Sequence, residues 1–150
     1  MPDVERTVTV DQPVTKVWDY VTDFRSSEEW DPPTVRTDRT SGDGGVGTTY
    51  HNVSSFLGSE QEVDYRVVEH SPPATGSPGR FVMTGDAGSI TLRDTITFVE
   101  DAPGRTSVTY HAEFIPDSTA AKLATPLMPA ALKVLGDKVA SSLEERLRAL

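Results

Sequence analysis

The residue in this sequence with the clearest potential for chemistry is Asp94, an acidic residue within an apolar strand pattern. In the predicted strand at 89–99, side chains alternate between two faces, and the face of Asp94 also carries Ile90, Leu92, Ile96 and Phe98. A carboxylate on an apolar face costs roughly several kcal/mol unless it is paired, hydrogen-bonded or hydrated. Asp94 is therefore either half of a structural pair, or a polar anchor or general acid/base inside a water-containing cavity.

Two tyrosines and one histidine are the other candidates for polar chemistry. Tyr65 and Tyr110 each alternate with apolar residues, so both are expected to face the interior, as satisfied core residues or as part of a pocket lining. His51 follows Tyr50, and alternation places these two on opposite faces without showing which face is inside. After Asp94, the candidate acid/base groups are Tyr110 and His51.

Metal and nucleotide sites are not predicted. The three histidines, His51, His70 and His111, lie in separate segments, and their spacing does not supply convergent metal ligands. The glycine-rich loop at 42–47 lies between two strands, lacks a following Lys-Ser/Thr and opens no helix, so the nucleotide-binding fingerprints do not apply. We interpret it as a hairpin loop with positive φ angles and expect no cofactor. A Ser-His-Asp triad stays open, although no Gly-x-Ser-x-Gly elbow occurs.

Composition narrows the class of protein and of partner. The 150 residues suit a single domain, and 14 basic against 23 acidic residues give a net charge of -9. Such a surface repels phosphates, which argues against nucleic acid and anionic membranes as standing partners. The sequence has no apolar run of about 18 residues and no signal-peptide pattern at its start, so we expect a cytoplasmic protein without integral membrane association.

Periodicity predicts one strand, two short helices, six strands and a long helix. The strands are predicted at 4–10, 35–40, 48–56, 60–69, 79–86, 89–99 and 105–115. The first helix is predicted to end near Thr22 with Asp11 as its N-cap, and Ser26 and Glu29 have the spacing of a capping box for the second. The helix at 129–150 carries a stripe of Leu132, Leu135, Val139, Leu143, Leu147 and Leu150. A further helical turn is possible at 118–125.

Several of these segments together resemble a known superfamily. They are the strand and helix opening at 8–18, Trp30-Asp31-Pro32, the glycine loop with Thr48, and the terminal helix. Across nearly the whole chain they resemble the helix-grip superfamily, which includes START domains, birch-pollen-allergen-like proteins and bacterial polyketide cyclase/dehydrase-like (SRPBCC) proteins. The resemblance implies an α+β fold, with a seven-stranded curved antiparallel sheet wrapped around a long C-terminal helix. Members variously carry lipids, bind hormones and polyketides, or catalyse ring closure.

This architecture predicts a cavity between the sheet and the C-terminal helix. The first hypothesis is binding of a hydrophobic or aromatic small molecule, such as a lipid, polyketide or quinone-like compound. The expected lining is Tyr65, Met83, Asp94, Tyr110, Phe114, Met128, Leu132 and Leu135. The alternative is a polyketide cyclase or dehydratase using the same cavity, and a third is a protein-interaction role on the outer sheet face or the Pro-rich loop at 71–78. The resemblance also implies that the glycine loop borders the cavity mouth.

Two features of the sequence stay open. Gly136 lies in the middle of the long helix, where glycine costs up to about 1 kcal/mol against alanine, so we suspect close contact with a strand or space for a ligand. The oligomeric state is not predicted.

Overall fold

A computed structural model describes residues 3–56, 58–116 and 128–150 of the chain. The strands within these residues are β1 Asp3–Val10, β2 Thr34–Ser41, β3 Thr49–Phe56, β4 Ser59–Ser71, β5 Gly79–Asp86, β6 Ile90–Ala102 and β7 Arg105–Pro116. The helices are α1 Val14–Thr22, the single-turn α2 Ser27–Trp30 and α3 Met128–Arg148, and a 3-10 turn, Phe24–Ser26, lies between α1 and α2. None of the described helices combines the length and apolarity needed to span a membrane. The predicted turn at 118–125 lies outside the described residues.

The strands form one antiparallel sheet in the order β1-β7-β6-β5-β4-β3-β2. β2 to β7 therefore form a meander, and β1 pairs with β7, with Val8 of β1 opposite Val108 of β7. The connection through α1 and α2 carries the chain from one edge of the sheet to the other. The α+β helix-grip fold, with seven strands and a long C-terminal helix, is confirmed.

The two predicted helix caps are wrong in detail. α1 begins after Pro13, which holds the N-cap position, and the Pro13 carbonyl accepts hydrogen bonds from the Lys16 and Val17 amides at 3.1 and 3.2 Å. Pro13 has an extended backbone and directly precedes the helix, so Asp11, two residues earlier, does not hold the N-cap position. Ser26 holds the predicted N-cap position of α2, but its side chain makes no capping hydrogen bond and instead accepts one from Trp30 Nε1 at 3.0 Å. Ser26 therefore fixes the orientation of Trp30.

Aromatic side chains fill one end of the space between sheet and helix. Trp18 of α1 meets Phe98 of β6 edge-on, with ring centroids 4.9 Å apart. Phe24 meets Tyr65 in the same way at 5.1 Å. Leu143 and Leu147 from the C-terminal half of α3 belong to this buried cluster. The first half of α3 therefore faces the part of the interior that this cluster leaves unfilled.

At Gly136, α3 lies in close contact with β1. A Cβ added there would overlap Val4 Cγ2 and lie 3.0 Å from the guanidinium carbon of Arg6. The predicted close contact with a strand is therefore confirmed. Gly136 also borders the cavity described below, and its role in making space for a ligand stays a prediction.

Replacing Gly136 with alanine is expected to lower the free energy of unfolding. Helix propensity alone would add up to about 1 kcal/mol of stability, but overpacking typically costs about 1–3 kcal/mol. We expect a net loss of about 1–2 kcal/mol, measured by urea denaturation. The control is Val134→Ala at an exposed position of the same helix, where a change within about 0.5 kcal/mol is expected. A gain in stability for Gly136→Ala would show that α3 can move away from β1.

Candidate functional site

A cavity of about 360 Å³ lies between α3 and the inner face of the sheet. This volume is within the range of small-molecule sites, which is about 300–1,000 Å³. Its apolar walls come from four strands and from α3, and they include Val4, Val63, Leu92, Ala112, Phe114, Leu135 and Val139. The cavity therefore joins surfaces that are far apart in the sequence.

Exposure of the lining residues changes steadily along the strands. On β4, Gln61 is exposed, whereas Val63 and Tyr65 are buried. On β6, Ile90 is half-buried, and Asp94 is only 2% exposed. The cavity therefore reaches solvent near the β3–β4 and β5–β6 turns, and its inner end lies at Tyr65 and Asp94.

Asp94 and Tyr110 form a hydrogen bond at this inner end. The Tyr110 hydroxyl donates to Asp94 Oδ2 at 3.1 Å, and Asp94 is in register with Ala112 on the neighbouring strand β7. Burial raises the pKa of Asp94 to about 7, and the interactions with Tyr110 and Tyr65 oppose this rise only partly. Asp94 has no salt bridge within the described residues. Its partners are hydroxyl groups, so a carboxyl that changes its charge near neutral pH faces the cavity.

The ring of Tyr65 occupies space left by a glycine on the next strand. An added Cβ at Gly85 of β5 would lie 2.8 Å from Tyr65 Cε1 and equally close to Val63 Cγ1. Burial, followed by the nearby Asp94 charge, raises the pKa values of Tyr65 and Tyr110 well above the usual value. Both tyrosines are therefore neutral hydrogen-bond donors at ordinary pH.

Asp31 is a second carboxylate at the cavity, and sequence reasoning did not single it out as a site residue. It follows α2 and accepts a hydrogen bond from the Thr34 hydroxyl at 2.6 Å. Burial of the carboxyl raises the pKa of Asp31 to about 6, although the residue as a whole keeps some solvent contact. The negative charge of Asp31 also contributes to the raised pKa of Asp94. An aspartate that precedes two prolines is typical of a turn. Asp31 was therefore named from the sequence only as part of the Trp30-Asp31-Pro32 segment of the family resemblance.

Trp30 holds this part of the chain against the sheet. Its side chain is 1% exposed and meets the Tyr110 ring edge-on, with ring centroids 5.8 Å apart. Because Asp31 directly follows Trp30, the anchored indole keeps Asp31 in the cavity lining, where its charge contributes to the raised pKa values of Tyr65 and Tyr110.

Arg6 is the positively charged residue in the described lining, and sequence reasoning missed it too. Its Nε donates to Asp137 Oδ1 at 3.1 Å, Nη1 to the Glu5 carbonyl at 2.8 Å, and Nη2 to the Lys133 carbonyl at 3.2 Å. These bonds tie β1 to α3 next to Gly136. Alternation along β1 places Arg6 on the same face as Val4 and Val8, but its two partners on α3 lie more than 120 positions away in the chain, so the bridge to α3 could not be predicted.

Five of the predicted site residues line the cavity, namely Tyr65, Asp94, Tyr110, Phe114 and Leu135. Met83 and Leu132 do not. Both are buried, and Met83 belongs to the core cluster that contains Trp18 and Phe81, because the aromatic residues of α1 and α2 fill that end of the interior. The side chain of Met128 lies outside the described residues. The functional roles of all these residues remain predictions.

His51 lies on the outer face of the sheet, away from the cavity. Its Nδ1 is 2.8 Å from Asp64 Oδ1 and its Nε2 is 3.0 Å from Glu62 Oε1. The hydrogen bond with Asp64, followed by that with Glu62, raises the pKa of His51. The inward face of β3 carries Tyr50 and Ser54, which answers the question that alternation left open. His51 therefore cannot contact a molecule bound in the cavity without rearrangement of β3.

The glycine loop at 42–47 contributes no residue to the cavity lining. Gly42, Gly44 and Gly47 have φ angles of 88°, 109° and 92°, so the prediction of a hairpin loop with positive φ is confirmed. The loop lies at the opposite end of β3 from Ser54, which borders the cavity. The expectation that it borders the cavity mouth is therefore wrong. Among the residues that the structure describes, no group of three or more His, Asp or Glu side chains is placed to hold a metal ion.

Comparison with known proteins supports this architecture. A family model described as "Polyketide cyclase / dehydrase and lipid transport" matches residues 1–148. No curated protein sequence matches the chain.

Solved structures with the same fold come from several bacteria. The Zhui aromatase/cyclase of a Streptomyces species is 18% identical, with a TM-score of 0.70 over 99% of this chain and 96% of that chain. A START superfamily protein from Mycobacterium smegmatis is 14% identical, with a TM-score of 0.73 over 98% of this chain and 97% of that chain. A hypothetical protein from Helicobacter pylori is 15% identical, with a TM-score of 0.74 over 98% and 88%. At these identities the likeness shows the fold alone.

Proposed function

Because this chain belongs to the polyketide cyclase/dehydrase and lipid transport family, we propose that it binds a hydrophobic or aromatic small molecule in the cavity beside α3. The ligand class includes lipids, polyketides and quinone-like compounds. The observation that carries the proposal is a cavity of about 360 Å³ with apolar walls and a polar inner end at Asp94, Tyr65 and Tyr110.

The two parts of the cavity have different physical roles in this proposal. Burying apolar ligand surface contributes roughly 25 cal/mol per Å² and supplies most of the affinity. The hydroxyl and carboxyl groups at the inner end select orientation, because a polar group buried without a partner costs about 1–3 kcal/mol. A protein-interaction role would fit a filled interior better than this one.

A binding titration tests the proposal directly. N-phenyl-1-naphthylamine is a neutral aromatic probe whose fluorescence rises in apolar surroundings, and we expect a saturable increase with one site per chain. Native mass spectrometry of the purified protein gives a second measurement, in which a retained small molecule would appear as an added mass. Failure to bind any neutral aromatic probe, together with the absence of a retained molecule, would reject the proposal.

A second candidate function is cyclisation or dehydration of a polyketide-like chain in the same cavity. The observation that favours it is the buried Asp94 with a pKa of about 7, because a general base works best when its pKa is near the working pH. The Asp94 carboxylate would take a proton from a methylene between two carbonyls. The resulting enolate carbon would attack a carbonyl further along the chain, and the new alkoxide would recover a proton through Tyr110 and Asp94. The attack closes the ring, and loss of the new hydroxyl with a neighbouring hydrogen as water would then form a double bond within it.

Asp94→Asn separates this reaction from simple binding. The amide cannot act as the base, so we expect formation of a cyclised product from a short poly-β-ketone thioester to fall by about 10²-fold or more. Affinity for the substrate should change much less. Turnover is followed by the absorbance of the aromatic product, and Asp19→Asn on the exposed face of α1 is the matched control. An unchanged rate in Asp94→Asn would remove Asp94 from the mechanism.

A further inference from the structure

We infer that the ligand of this cavity carries a protonated amine, which Asp31 and Asp94 bind at the inner end. The inference rests on the proposed binding function and narrows it to one ligand class. It follows from the charges that line the cavity and from the partners those charges already have.

The guanidinium of Arg6, the positive charge at the cavity wall, already forms hydrogen bonds within the protein. Arg6 donates to Asp137 Oδ1 and to the backbone carbonyls of Glu5 and Lys133, so its guanidinium bridges β1 and α3. A ligand carboxylate would therefore compete with three existing acceptors for this group. An anionic ligand would also meet the two aspartates.

The two carboxylates have only hydroxyl partners across residues 3–56, 58–116 and 128–150. Asp94 accepts from Tyr110 at 3.1 Å and Asp31 accepts from Thr34 at 2.6 Å, and neither forms a salt bridge there. A buried carboxylate without a cation loses more hydration than neutral hydroxyl groups restore. A cation brought by the ligand would supply the missing charge.

The geometry of the inner end suits an ammonium group on an apolar body. An ammonium has three hydrogen-bond donors and no acceptor, which matches a cavity lined by two carboxyl groups, Asp31 and Asp94. The rings of Tyr65 and Tyr110 line the same end, and aromatic faces attract cations. The rest of the ligand would then contact Leu92, Phe114 and Leu135 toward the opening. At pH 8, where both carboxyls are largely ionised, a neutral ligand would leave both charges uncompensated.

Three naphthalene probes of similar size distinguish these alternatives. They are 2-naphthylmethylamine, which is cationic, 2-naphthylmethanol, which is neutral, and 2-naphthoate, which is anionic. Isothermal titration at pH 8 keeps both carboxyls largely ionised, since their pKa values are about 6 and 7, while a primary amine stays mostly protonated. We expect the amine to bind at least tenfold more tightly than the alcohol, about 1.4 kcal/mol, and the carboxylate to bind most weakly.

Variants of the two aspartates assign the preference to this site. Asp31→Asn and Asp94→Asn should each reduce the ratio of amine to alcohol affinity at least threefold. Asp19→Asn is the matched control and should keep the wild-type ratio. Using two single variants keeps the test valid if one of them fails to fold.

Each outcome has one interpretation. If the amine and the alcohol bind equally well, or the carboxylate binds best, the inference is wrong and the binding function stands. An amine preference that survives both variants would also overturn it, because the cation would then sit elsewhere. If none of the three probes binds, the proposed binding function itself is wrong, and the inference about the amine is rejected with it.

Discussion

Replacing Asp94 with asparagine is expected to raise the free energy of unfolding at pH 8 by about 2–4 kcal/mol. Burial raises the pKa of Asp94 from 3.8 to about 7, and three pKa units correspond to about 4 kcal/mol. The carboxylate at pH 8 therefore destabilises the folded protein by that order. Asparagine keeps the shape and can still accept from Tyr110, but its buried amide costs part of the gain.

The pH dependence gives the sign of this effect independently. Between about pH 4 and 7 the folded protein keeps the Asp94 proton that the unfolded chain has already lost, so stability falls as pH rises. Above the folded pKa no further loss from Asp94 is expected. The contribution should be absent in Asp94→Asn, so the stability difference between variant and wild type should grow from pH 4 to 7 and then level off.

Comparison of variant with wild type is needed because other groups titrate in the same range. Asp31, with a pKa of about 6, acts in the same direction as Asp94. The raised pKa of His51 also makes stability fall as pH rises through it, since the ion pairs with Asp64 and Glu62 are lost. Interactions with Tyr110, Tyr65 and His111 lower the pKa of Asp94 and partly offset the effect of burial.

Urea denaturation at pH 4, 6 and 8 measures the difference, and contributions of unaltered groups largely cancel in it. Asp19→Asn, which removes an exposed carboxylate from α1, should show a small difference that does not follow this profile. A constant difference between Asp94→Asn and wild type across the three pH values would contradict the raised pKa.

Filling the cavity at Ala112 is expected to weaken binding of N-phenyl-1-naphthylamine by a hundredfold or more. Ala112 is buried on β7, in register with Asp94 on β6 and Val4 on β1, so it lies in the wall beside the inner end. A phenylalanine at this position would place its ring in the cavity and separate the inner end from the opening. A hundredfold loss corresponds to about 2.8 kcal/mol of binding free energy.

Val134→Phe is the matched control, because it adds a phenyl ring to an exposed position of α3, the helix that faces the cavity. We expect its affinity for the probe to equal that of the wild type. Thermal denaturation shows whether Ala112→Phe is folded, and Leu135→Trp provides a second variant of the lining. Wild-type affinity in a folded Ala112→Phe protein would place the ligand outside this cavity.

Local periodicity was sufficient to predict the fold elements. Strands alternate with period two and the long helix repeats with period 3.6, so each segment carries its own evidence of type and buried face. For this reason the inward positions of Asp94, Tyr65 and Tyr110 followed from their apolar neighbours. The family resemblance supplied the order in which the elements pack.

The tertiary structure decided which residues surround the empty space. Met83 and Leu132 carry the expected apolar pattern, yet aromatic residues of α1 and α2 fill the end of the interior where Met83 lies. Asp31 reaches the cavity from a turn, where no periodic pattern marks an inward side chain. Arg6 shares a face of β1 with Val4 and Val8, but alternation does not show that this face meets α3 at the cavity. Periodicity reports the face that a residue occupies within its own element. Whether that face meets a side chain or a cavity depends on contacts between distant elements, which short-range patterns do not encode.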